Sequence, residues 1–223
     1  MTRALQMDRA RTVETLMRMA ADYRARHGRA PSLLIAVGGS AMVLRGLRER
    51  SEDIDLYHPD EDFALIARDL ERRSGLRIDV THRKNLWGDL VIRDIEHDAE
   101  VMERVEIEGF SVDLAAISPQ TLFVIKASSL REKDRNDLFL LAPVVTPQNV
   151  LARAQGLLEG LEDYLREDIL CNLVSELQMV YETPLEEGWF REAGMLWERY
   201  GATLASTFRT PTAGGRAESP GAA

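Results

Sequence analysis

Hydrophobic and polar residues follow two rhythms along this chain, and the switches between them mark its elements. Val13, Leu16, Ala20 and Tyr23 are spaced three, four and three apart, which is one face of a helix. His27-Gly28 ends that pattern, and Pro31 blocks its continuation. The all-apolar run LLIAV (33–37) stops at a glycine pair and reads as a buried strand. Ser40 to Leu47 reads as a helix that starts at those glycines. DIDLYH (53–58) alternates polar with apolar, the signature of a strand with two different faces. A second helix is expected over 60–73, ending near Gly75, and LRIDVTH (76–82) is a further strand. The alternation over 103–108 and the segment FSVDLAAI (110–117), joined at Gly109, predict an antiparallel hairpin.

From there the pattern is helical. Ser118-Pro119 is an N-cap followed by proline at the first helical position, and the helix it opens carries LFVIKASSL. A further helical piece near 134–142 stops at Pro143, and Thr146-Pro147 repeats the cap signal. Leu151, Ala154, Leu158, Leu161 and Leu165 then form a continuous packing seam. Two more helices are expected near 169–182 and 186–207, with Trp189 and Trp197 eight apart on the second as packing residues. The last stretch, 209–223, is rich in Pro, Gly, Ser and Ala and is expected to be disordered. No internal repeat is present.

Composition narrows the setting. The chain has 223 residues, 45% of them hydrophobic, enough for a real core. Its 28 basic and 37 acidic residues give a formal charge of −9, which argues against broad nucleic-acid coating and leaves room for a local basic patch. No apolar run approaches the ~20 residues of a membrane span. The first residues lack the uncharged core of a secretory signal. Cys171 is the single cysteine, so neither an internal disulfide nor a cysteine zinc site is available. A cytoplasmic location is expected. The four histidines, 27, 58, 82 and 97, have no ligand spacing and read as surface residues.

The chemistry concentrates in VGGSAMVLRGLRERSEDIDLY (37–57). A strand ends at Val37, and Gly38-Gly39 lets the backbone turn tightly. Ser40 opens a helix whose free N–H groups suit phosphate oxygens, with the serine hydroxyl as one more donor. Asp53 and Asp55 lie two apart on the next strand, so both carboxylates share one face while Ile54 and Leu56 face the core. Two carboxylates held this close call for a cation, and Mg²⁺ with oxygen ligands and substrate phosphates is the natural choice. Lys126 interrupts an otherwise apolar helix, either pointing at phosphates or snorkelling from the helix edge. Arg45, Arg48 and Arg50 cluster between the serine and the carboxylates, as a phosphate or RNA clamp or as a solvated turn.

These residues carry a resemblance. The segment GGSAMVLRGLRERSEDIDL is similar to the signature of nucleotidyltransferases with the DNA polymerase β-type fold. More narrowly it resembles the AbiEii-like toxin and abortive-infection branch, with Arg50 and Ser51 standing where that branch often has Arg and Ser or Thr. KASSLREKDRNDLFLLA (126–142) is similar to the branch's lysine helix and following acidic element, with Lys126 as the lysine and Asp134 and Asp137 as the acids. Lys133 stands where the branch commonly has arginine.

The resemblance, taken with the elements above, implies an α+β nucleotidyltransferase fold: a small mixed β-sheet flanked by helices, plus a C-terminal helical extension. The expected organisation is a nucleotidyltransferase domain over 1–145, a helical region over 146–208 and the tail over 209–223. The expected reaction moves a nucleoside monophosphate from an NTP to an acceptor and releases pyrophosphate. Asp53, Asp55, Asp79 and Lys126 are candidate catalytic residues. Gly38, Gly39, Ser40, Arg50, Lys126 and Asp137 are candidate nucleotide contacts. A third carboxylate is wanted for the metal site. Asp79 is favoured because its strand follows directly on the helix after Asp55, and Asp113 in the hairpin has the same local phase. The toxin branch implies RNA such as tRNA, or protein, as acceptor, and a cognate antitoxin as partner. Two other readings stay open: a non-catalytic module that kept the fold, and a small-molecule transferase of the aminoglycoside type, whose cationic substrate an acidic protein suits.

Overall fold

The computed structural model describes residues 6–87, 90–107, 109–129, 131–159 and 161–181. The helix expected at 186–207, with Trp189 and Trp197, and the tail at 209–223 lie outside the described residues.

The chain opens with β1 (Met7–Asp8) and helix α1 (Arg9–His27). The Asp8 carboxylate caps α1 by accepting from the Arg11 N–H at 2.9 Å. Gly28, at φ 71°, closes it in the left-handed conformation that favours glycine. Then come β2 (Leu33–Ala36), α2 (Gly38–Leu44), β3 (Arg50–Ser51), β4 (Ile54–Tyr57), α3 (Asp62–Ser74) and β5 (Ile78–Thr81). A short hairpin of β6 (Asn85–Trp87) and β7 (Leu90–Val91) leads to α4 (Ile95–Asp98). Strands β8 (Glu100–Ile107) and β9 (Phe110–Ala116) form the long hairpin. Helices α5 (Pro119–Ser129), α6 (Glu132–Leu141), α7 (Pro147–Leu158) and α8 (Asp163–Tyr181) complete the described chain.

Five strands make one mixed sheet in the order β5-β4-β2-β9-β8. β4 runs parallel to β5 and antiparallel to β2, β2 runs parallel to β9, and β8 is antiparallel to β9. Period-two alternation sorts the side chains onto two faces. On one face Leu34, Ala36, Ile54, Leu56, Leu114 and Ala116 are fully buried in the core with Leu16, Met19, Phe63 and Ile66 of α1 and α3. Each of the leucine, isoleucine, methionine and phenylalanine side chains contributes roughly 1.5–3 kcal/mol on burial. The opposite face carries Asp55, Tyr57 and Asp79. The Ser118 cap of α5 is built as expected: its hydroxyl accepts from the Thr121 N–H at 3.2 Å, and Asp98 of α4 accepts from the Ser118 N–H and hydroxyl. Arg153 of α7 donates to Thr121 and pairs with Asp94, which ties α7 to this corner.

Three expectations are corrected, and some short elements were not anticipated. The helix after Gly38-Gly39 ends at Leu44, because the backbone turns at Gly46 with φ 70°. The seam from Leu151 to Leu165 is not one helix: α7 ends at Leu158 and α8 begins at Asp163, earlier than 169. His58 is buried, stacked on Phe63 at 4.2 Å and edge-on to Tyr23. Finally, β1, β3, β6, β7 and α4 are too short to have a readable period.

Candidate functional site

The tight β2–α2 turn, β4, β5, α5 and α6 enclose a cleft of about 320 Å³. Asp53, Asp55 and Asp79 line one side of it, and Lys126, Asp134 and Asp137 the other. Asp55 and Asp79 are directly opposite each other on the parallel strands β4 and β5, and Asp53 lies two residues before Asp55 on the same face. Asp79 is on the sheet's edge strand and exposed; Asp55 is half-buried.

The two glycines are shaped around Asp55. Gly38 has φ 50°, and a Cβ there would fall 2.5 Å from Asp55 Oδ2. A Cβ on Gly39 would collide with the Ser51 hydroxyl oxygen. The Gly39 N–H donates to Asp55 Oδ2 at 2.9 Å. The Ser40 hydroxyl accepts from the Asp55 N–H at 2.9 Å, and Ser40 is fully buried. This corrects the expectation for Ser40: its hydroxyl is committed to the β4 backbone and does not line the cleft. The start of α2 thus directs its N–H dipoles at a carboxylate. Even so, burial, then the charge of Asp53, then that of Asp79, push the Asp55 carboxyl up to about 6, against the pull of the Gly39 N–H and Lys126. A carboxylate pair in this state is a donor set that gains from a cation. Among the described residues no three His, Cys, Asp or Glu side chains are grouped so that they could hold a metal ion together, the expected trio Asp53, Asp55 and Asp79 included. Open coordination of this kind fits Mg²⁺, which is bound through one or two carboxylates, waters and substrate phosphates.

Lys126 is buried and ion-paired with both Asp134 at 2.9 Å and Asp137 at 2.6 Å. It faces the cleft but is not a free cation. Asp134 also accepts from Ser129 and Arg131; burial pushes its carboxyl up, but the bonds from Ser129, Lys126 and Arg131 and the Lys126 charge hold it below the usual range. Arg48 reaches Asp137 at 3.4 Å.

The structure separates other residues from the cleft. Asp113 stands on β9 opposite Leu33, with β2 between its strand and β4, and is held by Arg104 through two bonds at 2.6 and 2.8 Å. Arg50 lies on β3, exposed, with its guanidinium on Gln6. The reason is local: β3 pairs with β1, which turns Arg50 outward. Arg45 is spent on the Ala116 and Ile117 carbonyls. So only Arg48 of the three clustered arginines reaches the cleft. Sequence reading missed Arg77, Thr81 and Arg131 and gave Lys133 no place in the site, and all four line it. Arg77 and Thr81 flank Asp79 at two-residue spacing, so strand phase alone could have found them. Among the described residues no carboxylate is ion-paired with Arg77 or Lys133.

Residues 13–142 match the model of a family described as a nucleotidyltransferase of unknown function, DUF6036. No curated protein and no solved structure matches the chain.

Proposed function

Because this chain belongs to the DUF6036 nucleotidyltransferases, we propose that its cleft carries out Mg²⁺-dependent transfer of a nucleoside monophosphate from an NTP to an acceptor hydroxyl. The observation that carries the reading is the facing pair Asp55 and Asp79, with Asp53 beside them, in a cleft whose far wall carries Lys126, Arg131 and Lys133 beside Asp134 and Asp137.

Asp53 and Asp55 would hold the metal, whose charge stabilises the α-phosphate and the departing pyrophosphate. Asp79, at the open rim, completes the carboxylate set on the side where an acceptor enters. Gly38 and Gly39 let the turn close directly on Asp55 and Ser51, since a side chain at either would collide with them, and so hold the Asp55 carboxylate in place. Arg48 and Lys133 face the triphosphate, and Lys126 with Asp137 fixes the wall behind it. Alignment and fixed charge supply most of the rate in such transfers. The hydroxyl oxygen attacks the α-phosphorus, the bond to the β-phosphate oxygen breaks, and the hydroxyl proton leaves to solvent. The resemblance of the 38–56 segment to the AbiEii-like branch supports RNA or protein as the acceptor, within a toxin–antitoxin pair.

The test is incubation of the chain with each labelled NTP, Mg²⁺ and total tRNA, with parallel protein and aminoglycoside arms. Label transfer with pyrophosphate release, lost in Asp53→Asn and Asp55→Asn, is expected. No transfer in any arm, with no stabilisation by Mg²⁺-NTP, would leave a non-catalytic module.

A further inference from the structure

We propose that the outer edge of β8 is an interface on which a second copy of this chain pairs its own β8, antiparallel and centred on Val105. β8 ends the five-stranded sheet, and among the described residues no strand pairs with its outer side. Such an edge presents unpaired N–H and C=O groups.

Which groups point outward follows from the hairpin. The Asp113 N–H donates to the Ser32 carbonyl at 2.9 Å, away from β8, so Arg104, opposite Asp113, is in a non-hydrogen-bonded pair. Antiparallel pairs alternate in type, so Val105, opposite Val112, turns its polar backbone inward to β9. Arg104 and Glu106 therefore turn theirs outward, and both side chains are exposed.

A second β8 must match outward groups with outward groups. Setting Arg104 opposite Arg104, or Glu106 opposite Glu106, places like charges face to face, which is destabilising. Setting Arg104 opposite Glu106 of the partner puts Val105 on the two-fold axis and gives the attractive pair twice. The strand is thus self-complementary, as a two-fold interface requires. Arg104 has the spare donor: its Nε and Nη2 hold Asp113, leaving Nη1 to meet the partner's carboxylate.

A second observation agrees. A groove of about 580 Å³ runs between α1 and β8, with Val13, Met17, Val105 and Ile107 among its walls and the Arg9–Glu103 ion pair at one end. A strand added at the edge would lay its own Val105 and Ile107 along the groove's open side. The register irregularity between Val101 and Glu103 bends the strand there, which confines pairing to the segment from Glu103 to Ile107.

Sedimentation of the full chain over a concentration range tests this directly. The wild type is expected to dimerise. Glu106→Arg and Arg104→Glu should each weaken the dimer by roughly tenfold or more, and the charge-swapped double variant should restore it. Glu106→Pro, which removes an outward N–H, should also be monomeric while keeping its circular dichroism and melting temperature. If Arg104→Glu unfolds through loss of its Asp113 partner, Glu106→Arg and Glu106→Pro decide. A wild type that stays monomeric, a Glu106→Arg variant that dimerises normally, or a monomer whose edge captures a different protein instead would each overturn the proposal.

Discussion

Asp55 and Asp79 face each other across adjacent parallel strands, two carboxylates in register at the edge of one sheet. Nothing but backbone pairing brings them together, since 23 residues of helix and loop separate them in the chain (79 − 55 − 1). That pairing sets which substitutions matter.

Asp53→Asn, Asp55→Asn and Asp79→Asn should each lower nucleotidyl transfer by about two orders of magnitude or more, because several kcal/mol of charge stabilisation depend on them and each ~1.4 kcal/mol is tenfold. Asp113→Asn and Arg50→Ala should leave the rate unchanged. Steady-state rates on one acceptor separate the groups, and a loss in Asp113→Asn comparable to that in Asp79→Asn would contradict the assignment.

The raised carboxyl of Asp55 predicts a metal-linked pH effect. The folded chain binds this proton more tightly than the unfolded chain, so Asp55 supports stability fully below its ordinary value of 3.8 and loses that contribution as pH rises through about 6. A cation on the charged form reverses the loss. Mg²⁺ or Mn²⁺ should therefore raise the melting temperature at about pH 7.5 and much less at about pH 5, where the carboxyl is mostly protonated. Asp55→Asn should remove the metal response. Equal shifts at both pH values would show that the cation binds elsewhere.

Gly38→Ala and Gly39→Ala should damage the site through sterics alone. The first forces a side chain onto Asp55 at positive φ, the second onto Ser51. A cost of about 1–3 kcal/mol is expected for each, as for overpacking elsewhere, with activity falling further because Asp55 is displaced. Chemical denaturation of both variants measures it. A Gly38→Ala variant of wild-type stability and rate would mean the turn is softer than its geometry indicates.

Lys126→Met leaves Asp134 and Asp137 buried without their shared cation, so it should cost about 3–5 kcal/mol. Adding Asp134→Asn and Asp137→Asn should recover much of the stability while the transfer rate stays low. Recovery of both stability and rate would show that Lys126 only balances charge.

Several features were legible in the sequence because they depend on neighbours in the chain. The strand before Gly38, the shared face of Asp53 and Asp55, and the capped starts at Ser118 and Thr146 all follow from local period and cap chemistry. So did the mixed α+β class, once strands and helices were placed. Tertiary structure alone decided the rest. Asp79 and Asp113 have the same local phase, and only the strand order, with β2 between β4 and β9, sets one beside Asp55 and the other far from it. Ser40 and the Gly39 N–H looked like phosphate donors until β4 packed against α2 and took both. Lys126 could have pointed at phosphates or snorkelled from its helix edge until α6 folded back and set the Asp134 and Asp137 carboxylates on it. A sequence states which groups a residue offers; which partner consumes them is settled by distance, and distance across the chain exists only once the sheet and its helices have closed.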